Sequence, residues 1–350
     1  HSTSRRQRQM CIRDRYGMAD LFIIGQFNGV ASTTAVSIGS QVMHMITVMI
    51  VGIAMGTTVM IGKSVGAKQK KETSKIIGNT VSLFVCLSVV LTVVLLFFVH
   101  PIVRIMSTPQ QAVEGTTAYL TICFAGIPLI TAYNIISSIF RGLGDSKSPM
   151  YFIAVACGVN IVLDYVFIGG LHFGASGAAL GTTLAQTISV IVALIALIAI
   201  RKKDTGISLK RSDLKPEGKT LKNILGIGIP ISLQDGFIQI SFIVITIIVN
   251  QRGLNDAAAV GIVEKIISFV FLVPSSMLSA VSAIAAQNIG AGKDERAAKT
   301  LKYAVMISVT FGLCIAVIMQ FISNSVVGIF TSDAVVIYMG CLLYTSPSPR

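Results

Sequence analysis

Residues 34–61 read TAVSIGSQVMHMITVMIVGIAMGTTVMI, a run with no Asp, Glu, Lys or Arg. It is well beyond the roughly 18 apolar residues that separate a membrane span from a buried core helix. The run ends in Gly62-Lys63-Ser64-Val65-Gly66-Ala67, and moved 224 positions along the chain, from 66 to 290, it meets its own image. Ala35-Val36 falls on Ala259-Val260, Gly66-Ala67 on Gly290-Ala291, Gly29 on Gly253, Lys75 on Lys299, and Ile102-Val103-Arg104-Ile105 on Val326-Val327-Gly328-Ile329. A constant offset without slippage signals duplicated halves. Paired repeats of membrane helices, with a site at or between them, are a recurrent plan of secondary transporters.

Further apolar segments lie at 16–27, 75–99, 116–140, 149–168, 176–200, 224–250, 256–287 and 300–322, and another starts near 334. They predict nine spans and the start of a tenth. With 53% hydrophobic and 12% charged residues and a mean hydropathy of +0.79, the chain reads as an all-α polytopic membrane protein. The polar stretch 201–223, carrying Lys202, Lys203, Lys210, Arg211, Lys215, Lys219 and Lys222, is the natural linker. It divides a first helix bundle (16–200) from a partial second bundle (224–340). The expected architecture is two pseudo-symmetric six-helix bundles, with most of the first and about half of the second in this chain.

The tails read differently. Met10-Cys11-Ile12-Arg13-Asp14 and Cys341-Leu342-Leu343-Tyr344-Thr345-Ser346 can be encoded by DNA segments that are reverse complements of each other. Library adapters share such an inverted element, whereas opposite ends of a gene have no reason to, so 1–15 and 341–350 are taken as adapter-derived and set aside. Arg5, Arg6, Arg8, Arg13, Arg15 and Arg350 against Asp14 carry +5, which lowers the formal charge from +13 to +8. The first span is then truncated, and the repeat predicts about 100 further residues beyond Gly340 and twelve helices in the intact protein. No cleavable signal peptide is legible.

Lys and Arg alternate between the two sides. Five follow the second span, two the fourth, eight the sixth and four the eighth, whereas the opposite loops hold only Arg104 and Arg252. Nineteen against two places the basic side and the N-terminus in the cytoplasm, in an inner (plasma) membrane. The basic stripe is therefore topology, with the lipid bilayer and a small-molecule substrate as partners and no nucleic acid. Cys86, Cys123, Cys157 and Cys314 stand singly, without CxxC spacing. GTTVMIGKS (56–64) fails as a phosphate loop because Thr57 stands where the first glycine is needed. No HExxH, GxSxG or Cys/His cluster appears, so no cofactor, metal or catalytic residue is expected and the chain does not read as an enzyme.

Acidic residues are expensive in a bilayer, and only Asp20, Asp164, Asp235 and Glu264 fall well inside predicted spans. Asn160 and Asp164, four apart, project from one helix face. An amide beside a carboxylate can hold a proton or a cation. Counting from span ends at 1.5 Å per residue puts Asp20, Asp164 and Thr182 within roughly 6 to 11 Å of the outer boundary, so two carboxylates, an amide and a hydroxyl can converge. His44, between Met43 and Met45, Asp235, after Pro230 and Gln234, and Glu264, beside Lys265, are secondary candidates for lining a cavity.

The ordered set of loop motifs resembles a known family. Val30-Ala31, Gly62-Lys63-Ser64-Val65-Gly66-Ala67, Arg141-Gly142-Leu143-Gly144-Asp145, Asn160-Ile161-Val162-Leu163-Asp164, Gly174-Ala175-Ser176-Gly177-Ala178-Ala179, Gly226-Ile227-Gly228-Ile229-Pro230 and Gln287-Asn288-Ile289-Gly290-Ala291-Gly292 are together similar to the multidrug and toxic compound extrusion (MATE) family. The resemblance implies two six-helix bundles around a central cavity open alternately to either side. It also implies export of amphipathic, often cationic, compounds in exchange for H⁺ or Na⁺. In one branch the cation site takes an Asp, an Asn and Asp four apart, and a Thr, which match Asp20, Asn160, Asp164 and Thr182. In another, acidic residues of the seventh and tenth helices matter, and Asp235 departs from the expected turn. A lipid-linked oligosaccharide flippase of related fold is the alternative. It should line its cavity with several cations for a pyrophosphate, and here only Lys265 lies well within a predicted span.

Overall fold

A computed structural model describes residues 23–24, 26–202, 210–252 and 254–328, and among these there are ten α-helices and no strand. In order they are α1 (Val30–Gly66), α2 (Lys70–Phe97), α3 (Val99–Ile105), α4 (Val113–Ala125), α5 (Ile127–Gly142), α6 (Lys147–Asp164), α7 (Gly174–Lys202), α8 (Gly218–Arg252), α9 (Leu254–Gly290) and α10 (Asp294–Gly328). Among the described residues six helices are long and apolar enough to cross a membrane, and the bent pair α4–α5 makes a seventh. The chain is an all-α, multi-pass membrane protein. A helix satisfies its own backbone groups, which is why such a chain can sit in hydrocarbon. Val85, Val89, Val93 and Phe97 of α2 are exposed along one stripe, the face such a helix turns to lipid.

Several helices run past their apolar stretches, because intrahelical bonding continues into the polar boundary. α1 continues to Gly66, α7 to Lys202, and α8 starts at Gly218, inside the stretch expected to be linker. The expected single span 116–140 is bent by 49° between α4 and α5. Pro128 lacks an N–H and crowds the preceding turn, and Gly126 at the break lies against the Thr183 methyl, where a Cβ would come within 2.7 Å. After Asp164 the helix widens into a π-helical segment, Tyr165–Gly170, with Leu171 N–H bonded to Val166 O at 2.9 Å.

The repeat in the sequence has a physical counterpart in the turns that end α1 and α9. Ala67 N–H bonds to Lys63 O and Ala291 N–H to Gln287 O, both at 3.0 Å. Lys68 N–H bonds to Val65 O and Gly292 N–H to Ile289 O, again both at 3.0 Å. Gln69 N–H reaches Ser64 O at 3.0 Å and Lys293 N–H reaches Asn288 O at 2.9 Å. Every equivalent pair is separated by 224 positions, so duplicated residues close duplicated turns.

Small residues bring the helices together, as expected where close packing rather than water exclusion drives association. Gly39 of α1 lies under the Tyr119 ring of α4, and Gly52 of α1 faces the Ser232 backbone of α8, 2.6 Å from where a Cβ would stand. Buried Phe84, Leu120, Phe124 and Ile139 fill the first bundle. The segment before α8 is strapped to α2. Glu217 N–H donates to Asn79 Oδ1 at 2.6 Å, Ser82 Oγ to Leu214 O at 2.6 Å, and Lys75 Nζ to Glu217 Oε1 at 2.8 Å.

Candidate cation site

Asp164 closes α6 and Asn160 sits one turn before it, and both are fully buried. Asn160 Nδ2 donates to Asp164 Oδ1 at 3.4 Å, a long bond that orients the amide. Its Oδ1 is sealed from solvent without a hydrogen-bond partner among the described residues. An ionised carboxylate in such surroundings requires a proton, a cation or several donors.

The wall opposite is α7. Gly181 faces Asp164 so closely that a Cβ there would overlap Asp164 Oδ1. The missing side chain is what admits the carboxylate between α6 and α7. Thr182, half-buried and engaged in interactions of its own, follows directly. The structure thus brings Asn160, Asp164 and Gly181 together, with Thr182 the next residue along α7.

The remaining predicted residue, Asp20, lies outside the described residues. The described residues just beyond it do pack at this end of the bundle. Ile23 and Ile24 are buried, and the Phe27 ring stands edge-on to Tyr165 with centroids 6.1 Å apart and lies where a Cβ on Gly169 would meet it at 3.3 Å. The π-helical turn after Asp164 is therefore the surface on which the first span ends.

The secondary candidates lie elsewhere. His44 is exposed on α1, between buried Met43 and half-buried Met45. Asp235 is half-buried on α8 next to Gly236, which faces Met49 of α1 so that a Cβ there would stand 3.4 Å from it. α8 packs on α1, α2 and α9, so Asp235 belongs to the seam between the halves rather than to the Asp164 site. The side chain of Glu264 lies outside the described residues. Sequence reasoning passed over Gly181, whose contribution is an absence.

A helical membrane protein with a carboxylate and an amide buried inside one bundle, and close glycine seams between repeated halves, has the organisation of a secondary transporter. The MatE family model matches residues 9–166 and 230–343. The chain is 28% identical over 326 residues to the probable multidrug resistance protein YoeA of Bacillus subtilis, covering 92% of this chain and 70% of the relative. It is 24% identical over 331 residues to the multidrug export protein MepA of Staphylococcus haemolyticus, covering 94% and 72%. A solved structure described as the outward-facing conformation of a multidrug resistance MATE family transporter of the MOP superfamily superposes with a TM-score of 0.88, at 25% identity, over 98% of this chain and 76% of that one. The chain belongs to the MATE family. It is a membrane transporter and not an enzyme.

Proposed function

We propose that the protein exports amphipathic, often cationic, drugs or metabolites by alternating access, in exchange for H⁺ or Na⁺ bound at Asp164. The observation that carries this reading is a fully buried carboxylate beside a fully buried amide whose oxygen has no hydrogen-bond partner among the described residues. Relatives described as multidrug resistance and export proteins supply the substrate class. The Lys and Arg distribution supports a cytoplasmic N-terminus and basic end, and the turn-for-turn repeat supports a division into bundles at 16–200 and 224–340 joined by 201–223. Asp20 completes the cation site in this reading, with Asn160 and Thr182 as its neutral members.

Charge cost supplies the mechanism. The empty, ionised site is costly in low dielectric, and a bound cation removes that cost. Binding then favours the packing of α6, α7 and the first span that encloses the ion, while the drug favours the opposite state. Because each ligand shifts the equilibrium by its differential affinity, an inward ion gradient drives outward drug movement. A state closed at the basic end is the one from which an ion would enter from outside.

The test is drug accumulation in cells expressing the full-length protein, wild type against Asp164→Asn, with proton and sodium gradients collapsed separately. Export lost in the variant and with one gradient establishes antiport and names the ion. Export indifferent to all three perturbations removes the reading.

A further inference from the structure

The strap before α8 reaches below the polar boundary of the membrane. Leu214 O accepts from Ser82 Oγ at 2.6 Å, and Ser82 lies seven residues beyond Lys75, about 10 Å further along α2 than the last basic residue of that helix. A Cβ on Gly78 would overlap Asp213 O, so the strap backbone rests directly on the helix. Ser82, Val85 and Val89 share one face of α2, the face whose valines are exposed to lipid. The turn Arg211–Leu214 is therefore pinned onto the hydrocarbon side of α2.

Below that turn runs an apolar groove of about 530 Å³, walled by Val81, Val85, Cys86, Val89 and Val90 of α2 and by Leu214. On the lipid-facing side of a spanning helix, a groove so lined admits an acyl chain and offers nothing to a polar ligand.

Charge selects the headgroup. Residues 210–219 hold four basic and two acidic residues. Both acids are engaged within the strap: Asp213 Oδ2 accepts from Lys210 N–H at 2.8 Å, and the Glu217 carboxylate accepts from Lys75 Nζ and Thr220 Oγ1. Lys210 and Lys215, which bracket the turn bearing Leu214, are exposed and make no ion pair among the described residues. Lysine stems can lie along apolar surface while their amines reach the phosphate level, and basic segments at the cytoplasmic face attract anionic lipid.

We propose that this groove binds one anionic phospholipid, with an acyl chain along Val85 and Val89 under Leu214 and the headgroup phosphate on Lys210 and Lys215. The positive-inside bias accounts for lysines on this side of the membrane. It does not account for an apolar side chain between two of them, bonded down onto a lipid-facing helix. The site lies on α2 and the strap, apart from Asp164, and does not rest on ion coupling.

The experiment is fluorescence quenching of a single tryptophan by phospholipids brominated on their acyl chains. Any tryptophan in the full-length protein is replaced by Phe, and one reporter is placed at Val85 in the groove or at Ile191, exposed on α7. Val85 and Ile191 each lie ten residues from a basic residue of their own helix, Lys75 and Arg201, about 15 Å, so the two reporters match in depth. In vesicles of dioleoylphosphatidylcholine and dioleoylphosphatidylglycerol, with either lipid brominated in turn, phosphatidylglycerol should be preferred several-fold at Val85 and not at Ile191. Lys210→Gln together with Lys215→Gln should erase the preference, and because both side chains are exposed the fold is kept. If Val85→Trp misfolds, Val89→Trp reports from the next turn of the groove. Equal preference at the groove and at Ile191 overturns the site. A groove preference that survives the double Gln variant overturns the assignment of the headgroup to these lysines. A preference abolished by added glycerol phosphate gives the lysines to a soluble phosphate and overturns the lipid.

Discussion

Gly66 and Gln287 meet backbone to backbone, so closely that a Cβ on Gly66 would overlap the Gln287 carbonyl oxygen. The same contact recurs 224 positions on: a Cβ on Gly290 would overlap the carbonyl oxygen of Lys63, the residue equivalent to Gln287. Each half therefore lays its turn glycine on the other half's carbonyl, a self-complementary crossing of the kind that two-fold symmetry generates. Gln287 reinforces it by donating from Nε2 to Gly142 O at 3.0 Å, and a Cβ on Gly62 would stand 3.1 Å from Ala286 Cβ. The crossing closes the basic end of the seam between the halves.

A methyl group at Gly66 meets backbone, which cannot rotate away, so Gly66→Ala should push α1 and α9 apart and favour the state open at the basic end. The readout is maleimide labelling of a cysteine placed at Ala283, which is 2% exposed, in a background with every other cysteine replaced by Ser. Labelling should rise several-fold over the same protein with Gly66 intact. Equal labelling would mean that the halves absorb the methyl without parting.

Gly181 and Gly158 offer a matched pair. Inside a helix Gly→Ala normally stabilises by about 1 kcal/mol. Nothing lies within 4 Å of a Cβ at Gly158, whereas one at Gly181 would overlap Asp164 Oδ1. Gly158→Ala should therefore keep full export and unfold at an equal or slightly higher temperature. Gly181→Ala should express as a folded protein yet lose most drug export, because the carboxylate is displaced. Export by Gly181→Ala at the Gly158→Ala level would show that Asp164 tolerates the shift.

These two glycines also mark what the sequence does and does not disclose. Spans are legible because each needs a long apolar run, and Asp164 is legible because an ionisable residue in such a run stands out by its cost. The bend at Gly126 escapes hydropathy, which carries no direction, although Pro128 signals it. The π-helical turn 165–170 has no compositional mark. Gly181 cannot be recognised as a site residue from composition, since it acts by lacking a side chain. The repeat, by contrast, reads through to single hydrogen bonds because the Gly66-Ala67 step of the turn recurs as Gly290-Ala291.

Lys68 departs from its equivalent. It holds φ 57° where Gly292, 224 positions on, holds φ 69°. An L-residue pays roughly 1–2 kcal/mol for that left-handed conformation and glycine does not. Lys68→Gly should raise the unfolding temperature in detergent, offset in part by the greater chain entropy of glycine when unfolded. A fall would indicate that the Lys68 side chain contributes more than its backbone strain removes.

The strap between α2 and the segment entering α8 carries a pH signature. Hydrogen bonds from Lys75, and then Thr220, hold the Glu217 carboxyl below its ordinary value of 4.5. A group depressed in the folded state contributes stability that is full above the unfolded pKa and is lost as pH falls through the folded one. Wild type should therefore unfold at a higher temperature than Glu217→Gln at neutral pH, and the two should converge once the medium is acidified below the carboxylate range. The side chains of the pair are 41% and 39% exposed, so the gap should be small and should narrow in high salt. Asn79 sets the contrasting case. It is fully buried, accepts from Glu217 N–H at 2.6 Å and donates to Asp213 O at 3.4 Å. Asn79→Leu leaves those backbone groups without their partner and should cost about 1–3 kcal/mol independently of pH and salt. If instead the Asn79→Leu deficit vanished in acid along with that of Glu217→Gln, the strap would be held by charge and not by the amide.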